Sequence, residues 1–282
     1  MDETRKAFLL RELVRMLAEE RGMVAGSLLA APDLWPTFRA LVNTREAVPA
    51  SERLLSLQDE LLRGLLEARG VHGIGEAEVA PVDARLRLWR GDITTLAADA
   101  IVNAANSQML GCWVPGHHCI DNAIHTFAGI QLRLECARLM AVQGHEEPTG
   151  QAKVTAAYNL PTKRIVHTVG PIANGVPTAL HRAQLASCYR SCLEAAAAEG
   201  LASIAFCCIS TGVFGFPQRE AAEIAIETVR RWLDSHNSDL VVVLNVFGDE
   251  DEAIYRELLG FLPCANHGYT MPAGRRPKEC FS

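Results

Sequence analysis

From Pro81 onward the chain alternates short apolar, β-branched runs with longer amphipathic stretches, and this alternation restricts the fold more than any other feature of the sequence. The runs are Leu86 to Trp89, Ala100 to Asn103, Ala152 to Ala156, Ile165 to Val169, Ile204 to Ile209 and Leu240 to Val246. Between them, Asn122 to Gln143, Thr178 to Ala198, Arg219 to Ser235 and Glu250 to Leu259 carry apolar residues at helical spacing. Each strand and each helix must bury one face, so this order of elements implies a three-layer α/β sandwich.

The region ahead of Pro81 has a different texture. Phe8, Leu9, Leu13, Met16 and Leu17 recur at helical spacing, and a second such pattern runs from Ser51 to Leu66. Residues 1–80 therefore read as a helical N-terminal extension and 81–264 as the α/β unit. Residues 265–282, with Arg and Lys but no apolar pattern, read as a flexible tail. Nothing resembles a signal peptide or a membrane span, so the expected compartment is the cytoplasm. Nine cysteines without a secretory signal point to thiols used as core residues, metal ligands or nucleophiles rather than to disulfides. A formal charge of -6 argues against nucleic acid as a partner. A phosphate ligand would have to be held by backbone groups instead of a basic patch.

Two thiols and two imidazoles crowd into Cys112-Trp-Val-Pro-Gly-His117-His118-Cys119. Soft thiolates with an imidazole suit Zn²⁺, and three ligands from this segment, two thiolates and one imidazole, would leave the fourth tetrahedral position open, as in catalytic zinc sites. Buried cysteines need no metal, and a structural zinc with a fourth ligand such as His118 is the alternative. Asp121 follows directly and sits where a helix N-cap is expected. His125, one turn on, reads as a structural histidine.

A second constellation, Ser210-Thr-Gly-Val-Phe-Gly-Phe216, follows a strand run and precedes a helix. Its glycines allow close backbone approach, and the helix N-terminus offers a positive dipole end, so the loop can cradle a phosphate or serve as a tight turn. It lacks the Gly-Lys-Ser/Thr of a nucleotide-hydrolysing loop. Gly91-Asp92-Ile93 and Asn103-Ala-Ala-Asn106 close two other strand runs, where α/β ligands bind, although such residues taken singly are common turn formers. Asn245 and Phe247 add a polar group and an aromatic at the end of a further run.

Taken together, Gly91-Asp-Ile-Thr94, Asp99-Ala-Ile-Val-Asn-Ala-Ala-Asn106, Ala123-Ile-His125, His167-Thr-Val-Gly-Pro171 and Ser210-Thr-Gly-Val-Phe-Gly-Phe-Pro217 resemble the macrodomain family. The insertion before Ile120-Asp-Asn122 resembles its zinc-containing branch, which removes ADP-ribose from proteins, and this resemblance implies Cys112, His117 and Cys119 as the metal ligands. The resemblance implies a three-layer α/β/α macrodomain with a mixed central sheet, preceded by a helical extension. It further implies that Asp92 and Ile93 hold the adenine and Phe247 packs at the adenosine end. Ser210, Thr211, Gly212, Val213, Phe214, Gly215 and Phe216 would wrap the diphosphate, Asn103 and Asn106 would approach the distal ribose, and Asn245 would line the cleft. Many hydrolytic macrodomains have a run of glycines where this chain has metal ligands, which shifts catalytic weight to the metal. The expected activity is hydrolysis of mono-ADP-ribosylated proteins at an ester to Asp or Glu, with Zn²⁺ as Lewis acid or source of hydroxide. Asn106 would orient the ribose, and Asp121 would act as general base or as support for the site. The rival expectation is a reader that binds ADP-ribose without cleaving it, its zinc purely structural.

Overall fold

The computed structural model describes residues 1–261, so residues 262–282, including the expected tail, lie outside the described residues. The elements run α1 (Glu3–Glu19), α2 (Trp35–Asn43), α3 (Glu52–Arg69), β1 (His72–Gly73), β2 (Glu78–Val79), β3 (Leu86–Arg90), β4 (Leu96–Ala97) and β5 (Ala100–Ala105). They continue with α4 (Ile120–Ala128), α5 (Ile130–Gln143), β6 (Ala152–Ala156), β7 (Arg164–Val169), α6 (Ala179–Ala198), β8 (Ser203–Phe206), α7 (Gln218–Ser235), β9 (Val241–Val246) and α8 (Asp249–Leu258). None of the helices among the described residues is long and apolar enough to cross a membrane.

Seven strands form one mixed sheet in the order β2-β3-β9-β8-β5-β7-β6. The five inner strands are parallel, and the two edges, β2 and β6, are antiparallel to their neighbours. The parallel core reads as continuous apolar runs because helices cover both of its faces. On one side α6 and α8 pack on the sheet with α7 packed against both of them, and on the other α4 and α5 do. The architecture is thus the expected three-layer sandwich, and the C-terminal ends of β3, β5, β7, β8 and β9 all open toward one edge, where ligands of α/β folds bind.

Two features depart from the sequence reading. The single helix expected over Asn122 to Gln143 is two, because Gly129 at φ 104° breaks it. A side chain there would press on the Gln58 and Gln131 amides, since a Cβ would lie 2.6 Å from each. Gln58 of α3 uses this close approach to accept a hydrogen bond from Ile130 N at 2.9 Å, capping α5. The first eighty residues also contribute two short strands, β1 paired with β4 and β2 with β3, so the large sheet begins at Glu78, ahead of Pro81.

The N-terminal helices are packed into the molecule. Leu9, Leu13, Leu17, Phe38, Leu54 and Leu61 belong to the same buried cluster as Ile101, Val102, Phe206 and Val243 of the sheet. Helix α2 meets α4 through Trp35, whose ring stacks on Phe127 with centroids 5.8 Å apart. Pro36 sits in the first turn of this helix, where proline is well tolerated.

Candidate active site

A cleft of about 660 Å³ lies across the C-terminal ends of the parallel strands. Asp92 and Ile93 line one end, Cys112, His117 and Cys119 the other, and the segment Ser210 to Phe214 lies between; Asn106, Asp121, Asn245 and Phe247 also line it. Three expected residues do not reach the cleft. Asn103 is fully buried, Phe216 is packed in the core, and Gly215 is no part of the lining.

At the Asp92 end, the carboxylate caps a short turn. Its Oδ1 accepts from Thr94 N at 3.0 Å and from Thr94 Oγ1 at 2.7 Å, and its Oδ2 accepts from Arg69 Nη1 of α3 at 2.8 Å. Asn245 donates to Gly91 O at 2.9 Å, which fixes the neighbouring backbone. Phe247 is exposed and lines the cleft.

The loop after β8 leaves the sheet at Phe206, three residues earlier than its apolar run suggested, and turns at Ser210 with φ 67°. A positive φ on a non-glycine residue costs energy and clusters at ligand sites. The Ser210 hydroxyl is buried and, among the described residues, has no hydrogen-bond partner. Gly170 makes room for it: a Cβ there would lie 2.1 Å from Ser210 Oγ. Among the described residues none of the backbone N–H groups from Thr211 to Phe214 is spent on a backbone carbonyl, whereas Gly215 N and Phe216 N close the loop at 2.9 Å onto Gly212 O and Ser210 O. Phe214 O and Gly215 O are locked in turn by Ala173 N and Gly175 N at 2.8 and 2.7 Å. A rigid loop with unspent donors, opening onto the N-terminus of α7, can hold a diphosphate in an acidic protein.

At the far end, the Cys112, His117 and Cys119 ligand atoms all lie within 4.8 Å of one another. Bonds of about 2.3 Å to sulfur and about 2.0 Å to nitrogen, at a tetrahedral angle, place such a pair about 3.6 Å apart. The Cys112 Sγ to His117 Nδ1 separation is 3.6 Å. Two thiols and an imidazole at that spacing fit Zn²⁺, and the cluster contains no fourth His, Cys, Asp or Glu among the described residues. Burial pushes the Cys119 thiol up to about 12, with Cys112 and Asp121 adding to the rise, so a metal that took it as a ligand would displace its proton. The seven cysteines among the described residues are all free.

The helix cap expected of Asp121 is made by Cys119, whose sulfur accepts from Asn122 N at 3.4 Å. The helix starts at Ile120, which leaves Asp121 inside the first turn and its carboxylate on the cleft floor. Asp121 Oδ1 accepts from Asn103 Nδ2 at 2.8 Å, and Asn106 Nδ2 lies 3.5 Å from Oδ2. Burial pushes the Asp121 carboxyl up to about 6, against the lowering effect of the Asn103 hydrogen bond and the Arg133 charge. Asn103, expected against the ribose, therefore supports the floor from below. Its amide nitrogen also lies 3.1 Å from His167 Nδ1, and His167 Nε2 lies 2.9 Å from Thr155 Oγ1. Since Asn103 Nδ2 can only donate, His167 Nδ1 accepts and Nε2 carries the proton. His125 is buried beside this chain, with Nε2 3.6 Å from Asp121 Oδ1.

Sequence reading missed Arg39 and Asn43. Both are on α2, four residues apart and so on one helix face, and both are buried. Arg39 also lines the cleft. Two polar residues at that spacing in an otherwise apolar helix were the signal available.

Comparison with known proteins agrees with this geometry. The Macro domain family model matches residues 102–225. Two relatives named protein-ADP-ribose hydrolase are similar to the chain. The one from Treponema medium is 53% identical over 226 residues, covering 79% of this chain and 86% of the relative. The one from Staphylococcus aureus strain MRSA252 is 51% identical over 227 residues, covering 80% and 84%. Among solved structures, the Trypanosoma brucei macrodomain in complex with ADP-ribose has a TM-score of 0.60 at 31% identity, over 79% of this chain and 95% of that one. The Oceanobacillus iheyensis macrodomain with ADP has a TM-score of 0.56 at 41% identity, over 62% and 89%. With more than half of the aligned residues identical to those of relatives that it covers over 86% and 84% of their length, on a mixed sheet with its cleft at the parallel strand ends, the chain belongs to the macrodomain family.

Proposed function

We propose that the protein is a zinc-dependent hydrolase that removes mono-ADP-ribose from Asp and Glu side chains of modified proteins. One observation carries this reading: a single cleft joins a loop of unspent backbone donors to a cysteine-histidine metal set, with the Asp121 carboxylate on its floor. The names of the relatives and the ADP-ribose held by the T. brucei macrodomain support it.

In this reading the adenine lies by Asp92 and Ile93, the diphosphate on the loop from Ser210 to Phe214, and the distal ribose beside Asn106 and Asp121. When bound, Zn²⁺ supplies a Lewis acid at the distal ribose. Asn106 orients the sugar. Asp121, held by Asn103, accepts the proton of the water that attacks the ester carbonyl and returns it to the departing ribose oxygen. The products are free ADP-ribose and a restored carboxylate. A carboxyl that titrates near 6 serves as a base at neutral pH. The three-ligand set favours hydrolysis over a reader, since structural zinc sites are closed by four protein ligands.

The test is to incubate the purified chain with a protein auto-modified on Glu and to quantify free ADP-ribose by mass spectrometry. Release in multiple turnovers is expected; tight binding without release would make the protein a reader.

A further inference from the structure

Residues 112 to 119 have almost no regular structure of their own. Within the loop, His117 N to Val114 O at 3.2 Å is the backbone hydrogen bond that closes it. Its remaining fixed points come from side chains of other elements. Asn43 Oδ1 of α2 accepts from Gly116 N at 3.0 Å, and Arg39 Nη2 of α2 donates to His117 O at 3.0 Å. Arg39 Nη2 also donates to Asn122 Oδ1 at 2.9 Å, and Asn122 Nδ2 donates to Val114 O at 3.1 Å. Asn43 Nδ2 donates to Thr126 Oγ1 of α4 at 2.9 Å, which fixes the amide's orientation. At the loop's base, buried Arg133 of α5 donates to Leu110 O at 2.6 Å and to Arg45 O, just beyond α2, at 2.7 Å. The other end of the cleft is tied to the same extension through Arg69 and Asp92.

From this arrangement we infer that α2 is part of the active-site machinery, with Asn43 and Arg39 acting as positioning residues that hold Cys112, His117 and Cys119 in a metal-ready geometry. The inference rests on the zinc site proposed above. A free loop must lose backbone freedom when it closes on an ion, at about 1–2 kcal/mol per residue. Here that ordering is done in folding, by hydrogen bonds to carbonyls and an N–H that flank the ligands. The two contacts bracket His117, one at its own carbonyl and one at the preceding N–H. Groups that orient metal ligands typically change metal affinity by about 10- to 100-fold when removed. The N-terminal extension is thereby required for the metal site as well as for the shared core.

The full-length protein tests this by zinc competition against a chromophoric chelator, with ADP-ribose affinity and thermal unfolding measured on the same samples. Asn43→Ala and Arg39→Gln are expected to weaken zinc by about 10- to 100-fold, and in Asn43→Ala, whose side chain is no part of the cleft lining, ADP-ribose affinity is expected to change less than about threefold. Asn43→Asp keeps an acceptor for Gly116 N and is expected to recover most of the zinc affinity. Leu13→Ala, in the α1 core of the same extension, lowers the melting temperature and is expected to leave zinc affinity unchanged. Zinc held by Asn43→Ala as tightly as by wild type, or lost equally in Leu13→Ala, would overturn the inference while the zinc site stands. Wild-type protein that takes up no zinc would overturn the site and the inference together.

Discussion

Asn103 Nδ2 donates to Asp121 Oδ1 at 2.8 Å, joining a fully buried residue of the central strand β5 to the carboxylate on the cleft floor. The same nitrogen donates to His167 Nδ1 at 3.1 Å, while Asn103 Oδ1 is buried without a partner among the described residues. The amide is thus committed to holding the carboxylate and the imidazole, at the cost of one unsatisfied acceptor.

Asn103→Ala removes that hold without touching ADP-ribose. It is expected to lower kcat by about 10- to 100-fold and to leave the ADP-ribose Kd within about threefold of wild type. The lost donor to a buried acceptor should also cost about 1–3 kcal/mol of stability. Steady-state kinetics, calorimetric titration and urea unfolding on one preparation check all three.

Asp92 makes the opposite split. Asp92→Ala removes a charged acceptor at the end of the cleft proposed to hold the adenine, worth about 1.5–3 kcal/mol, or about 10- to 100-fold in affinity. The expected outcome is a raised KM and a weakened ADP-ribose Kd with kcat nearly unchanged. Equal losses in kcat from Asp92→Ala and Asn103→Ala would show that the two ends of the cleft do not divide the work in this way.

His167 gives the fold a pH dependence. Burial holds its imidazole down at about 3, against 6.5 for an ordinary histidine. Between those values the unfolded chain binds a proton that the folded protein refuses, so stability falls as pH falls below about 6.5, by about 1.4 kcal/mol per unit. From pH 7 to pH 5 the His167 share is about 2 kcal/mol. Buried His125, held well below its usual range, acts in the same direction. Urea unfolding at the two pH values should show a drop that is about 2 kcal/mol smaller in His167→Gln than in wild type. Equal drops in the two proteins would contradict it.

How far the sequence was legible depended on the range of each interaction. The strands of the parallel core and the helices α6 and α7 were readable because periodicity is local, and Thr178 announced its own cap by accepting from His181 N at 3.2 Å. The clustering of Cys112, His117 and Cys119 was readable because the three fall within eight residues. Asp121 was visible as a polar residue at a helix start, but not the cap made instead by the Cys119 sulfur, an unusual capping group. Asn103 was misplaced because its side chain follows the alternation of β5 into the interior, while Asn106 lies past the strand end and lines the cleft. Arg39 and Asn43 reach the loop across more than seventy residues of chain, and no local pattern encodes a pairing made only when α2 packs on α4.

The most direct test of zinc-dependent hydrolysis is to measure zinc per chain and the rate of ADP-ribose release from a Glu-modified protein on the same samples. These are wild type, chelator-treated wild type, the treated protein with zinc restored, and Cys119→Ser. Release is expected to rise in proportion to zinc content, to vanish in the treated protein and in Cys119→Ser, and to return with the metal, while ADP-ribose binding persists throughout. Full release from protein that retains no zinc would contradict the assignment.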